Sequence, residues 1–296
     1  MKSDIGIKLV LALIFTSCAS FSQADSRTNI LLELSEVKNL MGRSNVTLVD
    51  SRPLSNFKEG HILGAVSLPT SQTLANNGHS DLVASLQEIR DLLSHAGIQE
   101  HSHVVVYGDN MVDVSRLFWV LETFGIRKVA IMNGSYSEWG KAGYPMGTGQ
   151  GEEVEKSVFS PALKRDKLAT LLMVFAAINN EKEGLIDARP AAEYEGQQSR
   201  TAVYGHIPSA INIPWAKNLD KDQIRFRPIS ELKTLYKGLI NKQMNTVYCN
   251  QGKKSAVSYV ALRLLGAPVR SYDGSWIEWS QHPELPVTKA KKVNNL

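Results

Sequence analysis

The chain has 296 residues, and at about 100–200 residues per domain that length favours two domains over one. Apolar residues make up 43% and charged residues 21%, proportions that exclude a largely disordered chain. Lys and Arg number 33 against 29 Asp and Glu, and a net charge of +4 over this length does not mark a nucleic-acid binder. The two basic clusters, Lys164-Arg165-Asp166-Lys167 and Lys289-Ala-Lys291-Lys292, read as solvated surface.

The chain opens on a targeting pattern. Lys2 and Lys8 flank a short positive region, Leu9 to Phe15 is an apolar run of seven residues, and Ser22-Gln-Ala24 offers small residues for cleavage. This is the layout of a secretory signal peptide over residues 1–24, cut after Ala24, and it predicts an exported protein, periplasmic or secreted. Phe15-Thr-Ser-Cys18 loosely resembles a lipoprotein box, which leaves lipidation at Cys18 as the alternative. No apolar run reaches the roughly 18 residues of a spanning helix, so no membrane span is expected after processing. Cleavage removes Cys18 and leaves Cys249 as the one cysteine, which excludes a disulfide framework.

Residues 25–146 are predicted to form a first domain. Val46–Val49, Val104–Tyr107 and Val129–Met132 read as its buried strands, and Leu82–Ser94 and Val114–Phe124 carry apolar residues at helical spacing. Residues 147–160, beginning Gly147-Thr-Gly-Gln-Gly151, are rich in Gly and Glu without periodicity and predict an exposed linker. No apolar strand precedes those glycines and no capped helix follows, so they are not a dinucleotide fingerprint. In residues 161–296, Leu185–Ile186, Thr246–Tyr248 and Val269–Tyr272 read as strands and Ser255–Leu265 as a helix. Alternation of this kind predicts an α/β fold in each domain, an open and mostly parallel sheet with helices on both faces.

The two halves repeat each other. Val46-Thr-Leu-Val-Asp50-Ser-Arg52-Pro53 returns as Gly184-Leu-Ile-Asp187-Ala-Arg189-Pro190, and Gly60-His61-Ile62 returns as Gly205-His206-Ile207. Tyr107 matches Tyr248, Gly125 matches Gly266, and Asn133-Gly-Ser-Tyr-Ser-Glu-Trp139 matches Asp273-Gly-Ser-Trp-Ile-Glu-Trp279. Matched blocks in a constant order indicate two copies of one domain.

The chemistry concentrates at Cys249. It follows the strand ending at Tyr248, at the C-terminal strand edge where sites of open parallel sheets lie. Six residues, Cys249-Asn250-Gln251-Gly252-Lys253-Lys254, then lead into the helix that opens at Ser255. Gly252 lets the loop curl tightly. Backbone N–H groups, the helix N-terminus and the two lysines all favour an anion there, so Cys249 is expected to be nucleophilic near neutrality. Candidate binding groups are therefore Asn250, Gln251 and Gly252, chiefly through their N–H groups, together with Lys253, Lys254 and Ser255.

With Asp187-Ala-Arg189, Gly205-His-Ile-Pro208, Asn212-Ile-Pro214, Cys249-x-x-Gly252 and Asp273-Gly-Ser-Trp-x-Glu-Trp279 in place, the second copy resembles a rhodanese domain. The chain from about Ile30 to Pro286 resembles the tandem-domain rhodanese family of thiosulfate and 3-mercaptopyruvate sulfurtransferases. The resemblance implies tandem rhodanese-like domains with the second one catalytic. It also implies a persulfide on Cys249, a small anionic sulfur donor, and a cyanide or thiol acceptor, with a protein sulfur acceptor possible. It implies no cofactor. Gly108 stands opposite Cys249, and the first domain has no cysteine, so that copy cannot form a persulfide.

Some positions depart from the family pattern. Asn250 and Gln251 match neither the basic residue that follows the cysteine in thiosulfate-type members nor the Gly-Ser-Gly or Gly-Thr-Gly run of mercaptopyruvate-type members. Glu193 stands where tandem members often carry a substrate-binding Arg, with Arg200 as a candidate substitute. Thiosulfate is the expected donor, with 3-mercaptopyruvate as the alternative.

Arg189 has two readings, charge stabilisation near the site or a buried ion pair with Asp187 or Glu193. The recurrence of Asp50 and Arg52 in the copy without a thiol supports the second. The same logic assigns His61, His206, Trp139 and Trp279 to the fold. His101 and His103 lack further ligands and predict no metal site. Two alternatives stand beside this reading: a persulfide carrier or interaction module without turnover, and a cysteine phosphatase or arsenate-reductase-like enzyme. The latter's loop pattern needs Arg at the seventh position, occupied here by Ser255.

Overall fold

The structure, a computed structural model, describes residues 30–75 and 81–289. The expected signal peptide, its cut after Ala24 and the alternative at Cys18 lie outside the described residues, as does the tail beyond Lys289.

The first copy begins with β1 (Leu31–Leu32), α1 (Leu34–Leu40), β2 (Val46–Asp50), α2 (Leu54–Glu59), β3 (His61–Ile62) and β4 (Val66–Ser67). It continues through α3 (Leu86–His95), β5 (His103–Gly108), α4 (Met111–Thr123), β6 (Lys128–Ser135), α5 (Tyr136–Lys141) and β7 (Met146–Gly147). The second copy begins with β8 (Leu168–Ala169), α6 (Leu171–Ala177), β9 (Glu183–Asp187), α7 (Ala191–Tyr194) and β10 (Ile211–Asn212). It ends with α8 (Ile229–Leu235), β11 (Met244–Tyr248), α9 (Ser255–Leu264), β12 (Val269–Tyr272) and α10 (Ser275–Trp279).

Each copy builds a five-stranded, all-parallel sheet, ordered β1-β6-β5-β2-β4 and β8-β12-β11-β9-β10. Element for element the orders correspond, and β5 and β11 hold the centre. The helix expected from Leu82 starts later, at Leu86, because Ser85 and Glu88 form a capping box there. Val83 instead bridges Leu74.

Period-2 alternation sends neighbouring strand residues into different cores. Val104 and Val106 of β5 face a central core, whereas Val105 and Tyr107 face an outer one with Trp139. In the second sheet Val247 joins the central core while Tyr248 packs with Trp276 and Trp279 outside. The central core belongs to both domains. It holds α4 and α9 against each other, with Phe118, Trp119, Val257, Tyr259 and Val260 fully buried. Each such side chain contributes roughly 1.5–3 kcal/mol, so the two domains share one large apolar seam.

That seam has internal symmetry. Phe118 meets Tyr259 at a ring-centroid distance of 6.5 Å, and Glu122 takes Arg263 at 2.7 Å and the Tyr259 hydroxyl at 2.7 Å. Glu122 and Arg263 are 141 residues apart, the same offset that aligns Tyr107 with Tyr248. Equivalent positions of the two copies therefore touch, as in an isologous dimer, with opposite charges installed on the two sides.

The segment 147–160 is less free than its composition predicts. It is exposed over 152–156, but Ser157 bonds to Ser94 and Ile98 and Phe159 is buried in the central core, so the linker is moored to the first domain. Among the described residues no helix is long and apolar enough to cross a membrane.

His103 opens β5 in a buried position. Burial, aided by Lys128 and Arg43, pushes its imidazole from an ordinary 6.5 down to about 4. The unfolded chain therefore binds this proton before the folded one, and stability falls as pH drops from about 6.5 to about 4. Urea titrations across that window should show the loss. In His103→Gln the loss should be visibly smaller, and an unchanged slope would remove His103 as its source.

Candidate active site

Cys249 leaves the end of the central strand β11 and is only 3% exposed. It is the free cysteine of the described residues. The six-residue loop from Cys249 to Lys254 carries it into α9. What shapes this loop is where its carbonyls go. The Cys249 carbonyl accepts from Trp276 N–H at 3.0 Å, and the Asn250 carbonyl accepts from Ile277 N–H at 3.0 Å. The Gly252 carbonyl accepts from the Ser255 hydroxyl at 2.9 Å and from Arg116 at 3.3 Å. Those of Lys253 and Lys254 accept from Ala256 and Val257 inside the first turn of the helix.

Five of the loop's six carbonyls are engaged in this way, and most of its N–H groups are not. The Cys249 N–H donates to the Ser275 hydroxyl at 3.2 Å. Among the described residues, the N–H groups of Asn250, Gln251, Gly252, Lys253, Lys254 and Ser255 have no acceptor. Consecutive unpaired donors at a helix start form a nest for an anion, be it a thiolate, a persulfide or an oxyanion.

Gly252 is indispensable to this shape. Its φ of +82° lies in the left-handed region, and an added Cβ would come within 2.5 Å of both the Asp273 carbonyl oxygen and its carboxylate Oδ1. The corresponding loop of the first copy has two residues, Asp109 and Asn110, between β5 and α4. There the Asp109 carboxylate sits 3.4 Å from Arg52.

The side chains of the loop divide by task. Lys254 is exposed, lies 5.4 Å from the Trp215 ring centroid, and has no carboxylate partner among the described residues. Lys253, expected as a second anion-binding charge, is instead held by Asp113 of the first domain at 2.6 Å. Its charge is therefore shared with that carboxylate. The Asn250 amide donates to the buried Glu193 carboxylate at 2.6 Å, and Arg200 lies 3.5 Å from the same carboxylate. Arg200, largely exposed, is in contact with Glu193. Ser255, where a phosphatase-type loop would carry Arg, spends its hydroxyl on the loop itself.

Arg189 makes the buried ion pair that was one of its two readings. It is fully buried, grips Asp187 through Nε at 3.0 Å and Nη2 at 2.6 Å, and donates to the Gly205 carbonyl at 2.8 Å. Burial opposes its charge, but Asp187 outweighs this and raises its proton affinity above the ordinary value. The Tyr248 hydroxyl donates to the same carboxylate at 2.8 Å, and burial followed by the Asp187 charge keeps that phenol protonated. Arg52 repeats the clamp on Asp50 and Gly60 in the copy without a thiol. His206 and His61 behave likewise: each bonds a backbone carbonyl, of Tyr194 and Phe57, and stacks on the same residue's ring at 3.7 and 3.9 Å. Burial lowers His206, which suits a neutral packing group.

Four contributors escaped sequence reasoning: Ser275, Asp273, Arg116 and Asp113. The first two stand in the repeated Asp-Gly-Ser block, and the replacement of Asn133 by Asp273 between copies was a readable sign. Nothing local signals the other two, which reach the loop from the first domain.

The family now follows from comparison as well as geometry. The model of the rhodanese-like domain matches twice, over residues 33–142 and 174–282, and the chain belongs to that family as a tandem pair. Among its relatives is a sulfur carrier protein, TtuD, of Thermus thermophilus, 31% identical over 80% of this chain and 88% of the relative. Another is thiosulfate sulfurtransferase of Gallus gallus, 29% identical over 79% and 84%. The crystal structure of Escherichia coli SseA, a 3-mercaptopyruvate sulfotransferase with the rhodanese fold, superposes with a TM-score of 0.74 at 24% identity, covering 84% of this chain and 99% of that one.

Two substitutions separate the site from its support. In Gly252→Ala the left-handed strain of about 1–2 kcal/mol and the clash with Asp273 deform the nest. Alkylation of Cys249 should slow by about tenfold or more. Alkylation at the wild-type rate would show that the nest does not activate the thiol. Arg189→Met leaves Asp187 buried and unpaired at a cost of about 3–5 kcal/mol, read as a lower urea midpoint. Retained stability with lost donor binding would return Arg189 to the substrate.

Proposed function

We propose that this chain moves a sulfane sulfur from thiosulfate to cyanide or a thiol through a persulfide on Cys249. Its class, a sulfurtransferase, is that of the thiosulfate sulfurtransferase relative. The carrying observation is a buried cysteine on a loop whose carbonyls are tied back and whose N–H groups are unpaired. The Cys249 thiolate attacks the outer sulfur of thiosulfate, the S–S bond breaks, and sulfite leaves with the bonding pair. Cyanide then attacks the outer sulfur of the persulfide, thiocyanate departs, and the thiolate is regenerated. Both steps keep one negative charge at the nest, which can stabilise it without rearrangement.

Two features favour thiosulfate over mercaptopyruvate as donor. Glu193 adds negative charge beside the start of the loop, and Arg200 is occupied with it. A donor carboxylate would therefore find no free cation on that side, whereas a sulfonate needs the nest and Lys254. A second reading, a persulfide carrier that passes sulfur to a protein, is favoured by the likeness to the Thermus carrier. The proposed setting is outside the cytoplasm after cleavage at Ala24, on the strength of the N-terminal pattern.

Intact mass decides between these readings. Excess thiosulfate should add one sulfur, about 32 Da, to the wild type and nothing to Cys249→Ser. Cyanide should remove it with release of thiocyanate, over many cycles. Loading by mercaptopyruvate alone would reverse the donor assignment. A persulfide that small acceptors cannot discharge would favour the carrier, and failure of every donor would overturn the sulfur chemistry.

A further inference from the structure

We infer that Arg116 of the first domain and Asp273 of the second form a charge pair that sets the electrostatic balance of the Cys249 loop. The thiol-free domain thereby supplies a positioning residue to the other domain's reaction. This rests on Cys249 being the reacting thiolate.

Arg116 occupies a costly place. It lies on α4 with no solvent exposure, among the buried Val114, Leu117, Phe118, Trp119 and Val120. A guanidinium there costs several kcal/mol of desolvation unless its partners repay it, and an apolar side chain would suit the seam. Its partners all belong to the loop or to what supports it. Nη1 donates to Asp273 Oδ1 at 2.5 Å and to the Gly252 carbonyl at 3.3 Å, while Nη2 donates to the Asp81 carbonyl at 2.7 Å. The other oxygen of Asp273 accepts the Val83 N–H at 2.8 Å. Asp273 is therefore held from the first domain twice.

Asp273 in turn lies directly against the loop. Its Oδ1 stands 2.5 Å from where a Cβ on Gly252 would be. Unpaired, this carboxylate would be a buried negative charge beside a nest built for an anion. Arg116 cancels it and also draws the Gly252 carbonyl outward. The pair exists only in the copy that has the thiol: Asn133 replaces Asp273 in the first domain, and at the 141-residue offset Val257 stands opposite Arg116.

The other charged groups around the loop make contacts of their own. Lys253 is held by Asp113, Glu193 is bonded to Asn250 and Arg200, and Arg189 closes on Asp187 and Tyr248 beneath the strand end. Lys254 remains a free cation among the described residues. Removing either member of the Arg116–Asp273 pair thus changes the net charge facing Cys249, and the two removals change it in opposite directions.

The experiment follows alkylation of Cys249 by iodoacetamide against pH in the full chain, a readout that needs no sulfur donor. In Arg116→Met the profile should move to higher pH by about 1 unit, and in Asp273→Asn to lower pH by a similar amount. The double variant should return to within about 0.5 unit of wild type. Arg116→Lys, which keeps the charge, should leave the midpoint in place while slowing the reaction. A purely packing role would move both single variants the same way or neither, and that result overturns the inference. If Arg116→Met does not fold, Asp273→Asn still carries the sign: a downward shift supports the pair, and an unchanged or upward profile refutes it. Should thiosulfate fail to load the wild type, the donor assignment falls while the alkylation profiles still decide this question.

Discussion

A nearly buried cysteine can react as a thiolate only if something other than water stabilises the charge. Fixed dipoles are the solution here, and they work only if the loop's own carbonyls are kept away. Each peptide carries an acceptor as well as a donor, so six adjacent N–H groups can face one point only when the carbonyls are satisfied elsewhere. The turn from Asp273 to Ile277 takes the first two, Ser255 and Arg116 take that of Gly252, and the opening turn of α9 takes the last two, so five of the six are held and that of Gln251 has no protein partner among the described residues. Everything else about the site follows from that division. Gly252 is needed because the bend passes through a left-handed conformation against Asp273, and Ser275 is needed because the Cys249 N–H must end the strand without a ladder partner.

The duplication makes this division interpretable, because one copy serves as a control for the other. Both copies keep the Asp–Arg clamp, the Tyr at the end of the central strand, the stacked His and the terminal Trp. These groups cannot be specific to sulfur chemistry, since the first copy has no thiol. The differences that bear on the site are Cys249 against Gly108, Asp273 against Asn133 and a later start of the following helix. The first domain has nevertheless stayed in place, because its α4 is half of the seam that buries α9. A second domain alone would expose Val257, Tyr259 and Val260, a patch of the kind that drives association or aggregation.

Most of the architecture was legible for a physical reason. Central strands of a parallel sheet are buried on both faces, so Val46–Val49, Val104–Tyr107 and Val129–Met132 announce themselves as apolar runs. Edge strands of two residues, such as β4 and β10, carry no period and were invisible. Within the site, Cys249 and its glycine were legible because the loop is contiguous. Arg116 and Asp273 are 157 residues apart, and a pair that meets only through tertiary packing leaves no local trace. The Lys253–Asp113 pair leaves no local trace for the same reason, since Asp113 lies on the opposite domain. Arg189 could be read either way, and it was the repeat that pointed to the fold.

Glu193 shows how far such a control extends. A buried carboxylate next to an anion nest works against the nest unless it is tied down, and here it is tied down twice, by Asn250 from within the loop and by Arg200 from outside. The first of these bonds is short and shielded, whereas Arg200 is largely exposed and contributes little by itself. The Glu193–Asn250 bond therefore acts chiefly on geometry: it anchors the first turn of the loop to α7, on the side away from Arg116. The loop is then held from three directions, by α7, by the turn at Asp273 and by the first domain. A nest gains its strength from donors that need not reorganise as charge moves onto sulfur, and three anchors on three separate elements are what keep those donors fixed.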